Sequence, residues 1–205
     1  MRSHKKTLIL NGNISYQCKF KGKTYIVSQT CPFDSVVDAI AVSYTDNVNY
    51  KTYIDNTKNK FLQFAKNLAL YGGTKSLYEE RVLLMLFFDK LEVYSNVFTI
   101  NAECNITKII QCYLKNDPSA TQNIDCHKCG KTTLNSPTVI LPITQDLQSL
   151  QSSLLDYTKG EKIMCRKCEG FKHSVRILGP HLFIETDINN IQIKLDEIPT
   201  LLCEK

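Results

Sequence analysis

Two periodicities divide the chain. Early on, apolar residues come in short runs broken by turn signals, the pattern of strands. Residues 7–10 (Thr-Leu-Ile-Leu) meet Asn11-Gly12, a hairpin pair, and residues 16–20 and 24–27 flank Lys21-Gly22-Lys23. At Cys31 the period changes. Phe33, Val36, Val37, Ile40, Ala41 and Tyr44 recur at i, i+3, i+4, i+7, i+8 and i+11, one continuous apolar face of a helix. Pro32 suits its first turn, where a missing N–H costs nothing. Asp34 and Asp38 sit early, as the helix dipole favours.

The same period predicts a helix over 59–71, with Phe61, Phe64, Ala65 and Leu68 inward and Gly72-Gly73 as its stop. A third is expected over 75–91, opened by a Ser76-x-x-Glu79 capping box, with Leu77, Val82, Leu83 and Leu86 as its core stripe. A strand over 97–100 and a helix over 106–115 follow, ended by Asp117-Pro118-Ser119. Residues 137–143 are β-rich. Residues 146–157 carry Leu147, Leu150, Leu154 and Leu155 at helical spacing. Residues 175–178, 181–187 and 191–195 read as strands.

Cysteine spacing adds chemistry to this frame. Cys126-His127-Lys128-Cys129 and Cys165-Arg166-Lys167-Cys168 are two Cys-x-x-Cys knuckles. Each lets two thiolates converge on one side of a tight turn, and two such turns complete a tetrahedral four-sulfur site. Soft thiolates select zinc or iron–sulfur over harder cations, so Zn is the expected ion. His127 faces away from the sulfurs in the usual turn. Cys18, Cys104, Cys112 and Cys203 show no pairing pattern and read as core or surface thiols.

Nine cysteines in 205 residues are not a secreted disulfide set, and no apolar run is long enough to span a bilayer or form a signal core. A cytoplasmic or nuclear chain with no membrane partner is expected. The net charge is +5, and residues 1–33 alone carry six cations and no acid. A zinc site of four thiolates lowers the total to about +3. That is weak ground for nucleic-acid binding, which is not expected.

Together the parts resemble the catalytic domain of the ubiquitin-specific proteases, papain-like cysteine peptidases with thumb, palm and fingers lobes. Thr30-Cys31-Pro32-Phe33-Asp34-Ser35 is similar to the family's Cys box, and the helical block to its thumb. The paired knuckles match its fingertip zinc ribbon. Residues 137–143, 149–157 and 178–184 look like the strand after the first knuckle, the helix before the second, and a proline-containing palm strand. The resemblance implies an α+β fold, a papain-like thumb and palm with inserted zinc-ribbon fingers. The whole of 1–205 is then one domain: N-terminal strands over about 1–28, thumb over 31–117, fingers over 118–177 and the start of the palm over 178–205.

By that resemblance Cys31 is the nucleophile, Cys126, Cys129, Cys165 and Cys168 hold structural zinc, and ubiquitin or a ubiquitinated protein is the partner. The implied reaction is thiol-dependent hydrolysis of ubiquitin isopeptide bonds, or ubiquitin binding by an inactive relative. A helix N-terminus would lower the Cys31 pKa, with Asp34 opposing it by a second negative charge. Three positions depart from the pattern. Ile26 stands where the family has an oxyanion Asn, leaving Gln29 as the nearest amide. Asp34 replaces an Asn. The Gly-His-Tyr box with its base is not found, so the domain is expected to be incomplete or degenerate. The reading from another class is a zinc-ribbon interaction module that binds protein or nucleic acid without catalysis.

Overall fold

The computed structural model describes residue 9 and residues 17–142 and 150–187, with the backbone alone for 142, 186 and 187. The predicted hairpin over 7–12, the start of the 146–157 helix with Leu147, and the strand over 191–195 lie outside the described residues. Among those described, six helices and ten strands make a mixed α+β chain with three sheets. It divides into two compact units, Met1–Tyr113 and Leu114–Lys205. No helix among the described residues is long and apolar enough to cross a membrane.

The first unit holds β1 (Cys18–Phe20), β2 (Lys23–Ser28), β3 (Lys90–Tyr94) and β4 (Val97–Asn101), in the order β1-β2-β4-β3. Strands β1 and β2 form the hairpin expected around Lys21-Gly22, both with positive φ. Strand β4 runs parallel to β2, with Val27 opposite Ile100. The helices are α1 (Cys31–Asp46), α2 (Val48–Asn56), α3 (Lys60–Tyr71), α4 (Lys75–Met85) and α5 (Ile106–Tyr113).

Every residue of the predicted α1 stripe is buried. Phe33 lies edge-on to Phe61 and Phe64 of α3, and Phe61 stacks on Tyr113 of α5 at 4.4 Å. Burying each such ring is worth roughly 1.5–3 kcal/mol, so Phe33→Ala would open a cavity at the middle of three helices. Helix α3 starts and stops as its sequence predicts. The Asn59 side chain accepts from Phe61 N–H at 2.9 Å, and Gly72 closes it at φ 72°.

Helix α4 corrects the sequence reading. It ends at Met85, and the chain turns into the edge strand β3. Leu77 and Val82 are buried, but Leu83 is exposed and Leu86 only half-buried; the inward row is Leu77, Tyr78, Arg81, Val82 and Met85. Its cap is Thr74, which accepts from Leu77 N–H at 3.2 Å, two residues before the expected Ser76. Helix α2 was not expected. Asn47 both ends α1, through its N–H to Ser43 C=O, and caps α2, accepting from Tyr50 N–H at 2.9 Å.

The second unit contains β5 (Ala120–Cys126), β6 (Gly130–Ser136), β7 (Val139–Pro142), α6 (Leu150–Thr158), β8 (Glu161–Met164), β9 (Phe171–Leu178) and β10 (Ile184–Asp187). Two hairpins, β5–β6 and β8–β9, join through β5 and β9 into the antiparallel order β6-β5-β9-β8. At one end, β10 pairs parallel with β7, and Ala120, Val139, Leu141, Leu150 and Leu154 form a small core. The strand expected over 181–187 is confined to Ile184–Asp187. His181 and Phe183 are held instead by side-chain bonds, His181 Nε2 to Asp117 C=O at 2.7 Å and Phe183 N–H to Ser119 Oγ at 2.9 Å.

Candidate metal centre

The four knuckle cysteines meet where the two hairpins end. Cys126 is the last residue of β5, opposite Gly130, so His127, Lys128 and Cys129 form the turn. Gly130 takes φ 83°, which a side chain would resist. Cys165 follows β8. Its N–H donates to Gly170 C=O at 2.7 Å, and its C=O accepts from Glu169 N–H at 2.9 Å. Across the β5–β9 ladder Cys126 pairs with Lys172, which brings the two turns side by side. A Cβ on Gly170 would sit 3.5 Å from Cys168 Sγ and 3.7 Å from Lys128 Cδ, ordinary contact distances, so Gly170 lies against both knuckles.

The result is four sulfurs within 4.8 Å of one another. Cys126 Sγ lies 3.5 Å from Cys168 Sγ, and Cys129 Sγ 3.9 Å from Cys165 Sγ. A tetrahedral ion with metal–sulfur bonds of about 2.3 Å sets its sulfurs about 3.8 Å apart. The cluster thus has the size and donor set for one thiolate-bound metal ion. Backbone N–H groups of Cys129 and Lys128 hold the Cys126 thiol below its ordinary range, and those of Lys167 and Cys168 bring Cys165 down to about 6. In each knuckle, backbone N–H groups thus ease the ionisation of one thiol. Cys129 is pushed up to about 12, chiefly by the neighbouring Cys168 and Cys126 sulfurs. A cation at the centre would remove that repulsion.

Cys31 and Gln29 belong to the other unit. Cys31 is the first residue of α1 and is exposed, while the rest of that turn is anchored by Phe33 and Asp34. Gln29 has φ 55°, uncommon for a residue with a side chain. Asp34 is buried, and Arg81 Nη1 lies 3.1 and 3.2 Å from its two oxygens while the Thr30 hydroxyl donates to Oδ2. Burial holds the Asp34 carboxyl above its ordinary value, with Arg81 and Thr30 acting the other way. The charge expected to oppose a Cys31 thiolate is therefore compensated by a buried guanidinium. Residues 17–113 contain no histidine. His181 lies in the second unit, held on the Asp117 carbonyl with its pKa lowered by burial.

The sequence reading did not single out Arg81, which lies on the buried face of α4. It also missed a groove beside the metal centre, lined by Asp125, His127, Lys128, Lys162, Phe171 and His173 among others, with a volume of about 830 Å³. The alternation of β9 carried the signal: Phe171 and His173 share one face, opposite Met164 and Lys162 of β8.

No protein-family model matches the chain. It is similar to a "120.7 kDa protein in NOF-FB transposable element" of Drosophila melanogaster, 28% identical over 176 residues, which cover 77% of this chain and 16% of that protein. The chain thus spans about a sixth of the length of the curated relative it matches.

Proposed function

We propose that this chain is a ubiquitin-specific-protease-like domain that recognises a ubiquitin-type partner, its fingers braced by a structural zinc. The observation that carries the reading is the pairing, in one chain, of an exposed cysteine at the first position of a core-buried helix with a ribbon of two hairpins ending in four converging sulfurs. Zinc suits the ribbon because it prefers four soft ligands in a closed tetrahedral site and carries no redox chemistry. All four protein ligands would be used, which leaves no open position for a reacting water. The ion's role is then to hold the hairpins together.

Cys31 has part of what a thiol nucleophile needs. It is the first residue of a helix anchored in the core, and its side chain is exposed. A base to complete activation is not found beside it in residues 17–113. Binding is therefore the better-supported half of the reading, and hydrolysis would need a histidine brought to Cys31 from elsewhere. In a papain-like reading, the Arg81–Asp34 pair would fix the start of α1 and so the place of Cys31.

The test uses ubiquitin carrying a C-terminal electrophile, with binding of unmodified ubiquitin followed by calorimetry. The proposal expects saturable ubiquitin binding by the wild-type chain and by Cys31→Ser, with any covalent labelling lost in Cys31→Ser. Labelling that persists in Cys31→Ser removes Cys31 as the nucleophile. Absence of both binding and labelling removes the ubiquitin reading.

A further inference from the structure

The whole-chain charge gives little reason to look for a nucleic-acid partner, but charge and aromatic surface are not evenly spread. At the metal-bearing end of the second unit, Lys128, Lys162 and Lys172 line one groove together with Phe171, His127 and His173, and Asp125 is the acid among them. Phe171 is 60% exposed, an unusual position for a phenylalanine on a regular strand. Met164, directly opposite it on β8, is 65% exposed.

Strand register explains the arrangement. Lys162, His173 and Asp125 form one cross-strand row over β8, β9 and β5. Met164 and Phe171 form the next row towards the knuckles. Lys162 Nζ lies over the Phe171 ring, 4.7 Å from its centroid. His173 packs against Gly160, where an added Cβ would come within 3.2 Å of its ring. Lys128 lies along Gly170. The aromatic and cationic groups are thus mounted on paired strands and a closed turn rather than on a loose loop. A metal ion binding the sulfurs would stiffen the same turns.

We propose that this groove binds single-stranded nucleic acid, with Phe171 as a base-stacking platform and Lys128, Lys162 and Lys172 as phosphate contacts. An exposed ring set among point cations is the combination that single-strand binders use, because every base has a flat face and every linkage a charge. Lysine alone would attract any polyanion. The ring separates the cases: a base gains roughly 1–3 kcal/mol by stacking on it, whereas an acidic peptide has no flat group to place there. A duplex buries its base faces and cannot use the ring at all. The inference does not depend on Cys31 or on ubiquitin binding.

Fluorescence anisotropy of labelled dT20 and rU20 with the metal-loaded full chain tests it, titrated at several salt concentrations. Three lysine contacts predict a slope of about −2 for log affinity against log salt. Phe171→Ala should weaken binding at least about fivefold with the slope kept. Lys162→Glu with Lys172→Glu should weaken it more than about tenfold and flatten the slope by at least about one. Lys58→Glu with Lys60→Glu, exposed on the other unit, should change affinity less than about threefold, as expected for non-specific charge alone. Metal content of each variant is measured alongside, and the lysine pair carries the test if Phe171→Ala loses its ion. The two oligonucleotides show whether the sugar matters; tight binding of either supports the proposal. It is overturned if neither binds at about 50 mM salt, if both groove variants bind as the parent does, or if duplex DNA or a polyglutamate peptide binds as tightly as dT20 and rU20.

Discussion

Arg81 and Asp34, 47 residues apart, form a buried ion pair. Arg81 Nη1 stands 3.1 Å from Asp34 Oδ1 and 3.2 Å from Oδ2, and the arginine is 1% exposed. The Tyr78 ring lies under the guanidinium at 4.9 Å, and the Thr30 hydroxyl donates to the carboxylate Oδ2. The pair ties the first turn of α1 to α4. Removing one partner leaves the other charge buried, which costs roughly 3–5 kcal/mol, while removing both for apolar groups of like size is often near neutral. Arg81→Met should therefore lower the urea-unfolding free energy by about 3 kcal/mol or more, and Arg81→Met with Asp34→Leu should regain most of it. Equal losses in the single and double variants would show that the pair is not coupled.

Gly179 supplies a second expectation. A Cβ there would lie 2.1 Å from the Pro118 carbonyl oxygen, and the residue's own N–H donates to Ser119 C=O at 2.7 Å. Backbone on both sides leaves nothing flexible to give way. Gly179→Ala should destabilise the chain by about 2–4 kcal/mol. Gly130→Ala should cost only about 1 kcal/mol, because its φ is 83° but no atom lies within 4 Å of the added carbon. Thermal unfolding of the two variants gives the comparison, and a Gly130 variant as damaged as the Gly179 one would contradict it.

These two sites also show what could be read before folding. The α1 stripe was legible because its six apolar positions hold the helical period without interruption, and α3 because Asn59 and Gly72-Gly73 mark both ends. Helix α2 buries only Tyr50 and Ile54 and is separated from α1 by Asn47 alone, so neither period nor breaker announced it. In α4 the apolar period ran on through Leu83 and Leu86, but tertiary packing chose a row containing Arg81 and Met85. Propensity and pattern set a weak prior that such packing overrides.

The sites followed the same logic. Each cysteine knuckle is local, four residues long, and so it was visible as spacing. The Asp34 partner is remote and the groove is built from three strands and two turns. Neither leaves a short-range mark, because they depend on which residues the ladder register sets opposite one another. A net charge summed over the chain averages the groove's lysines with acids elsewhere.

Asp38 offers a test by pH. Its Oδ1 is buried with no hydrogen-bond partner among the described residues. Burial raises its pKa to about 6, with Asp34 adding to the rise and a backbone hydrogen bond from Ile9 opposing it. The folded chain then holds this proton more tightly than the unfolded chain, whose aspartate titrates near about 3.9. The resulting stability is fully present below about pH 4 and is lost as pH rises through 6. Asp38→Asn fixes the neutral form. With allowance for solvent screening, it should be more stable than wild type by about 1 kcal/mol at pH 7, and the gap should close at pH 4. A gap of the same size at both values would mean the effect is not electrostatic.

The four-sulfur centre predicts how the two units respond to losing a metal. Purified chain should carry about one zinc ion, since the sulfur spacing fits a single tetrahedral ion. Cys126→Ser and Cys165→Ser each remove a sulfur held by backbone N–H groups and should abolish stoichiometric binding. Cys112→Ser, an exposed thiol in the other unit, should leave it intact. A chelator, or acid that protonates the thiolates, should release the ion. Hydrogen exchange should then rise first in the two knuckles and the adjoining ends of β5, β6, β8 and β9. The Phe33–Phe61–Tyr113 packing of the first unit contains no knuckle residue and should keep its protection. Exchange that rises equally in both units would show that the ion stabilises the whole chain and not the ribbon alone. Unchanged exchange with the metal gone would mean the hairpins stand without it.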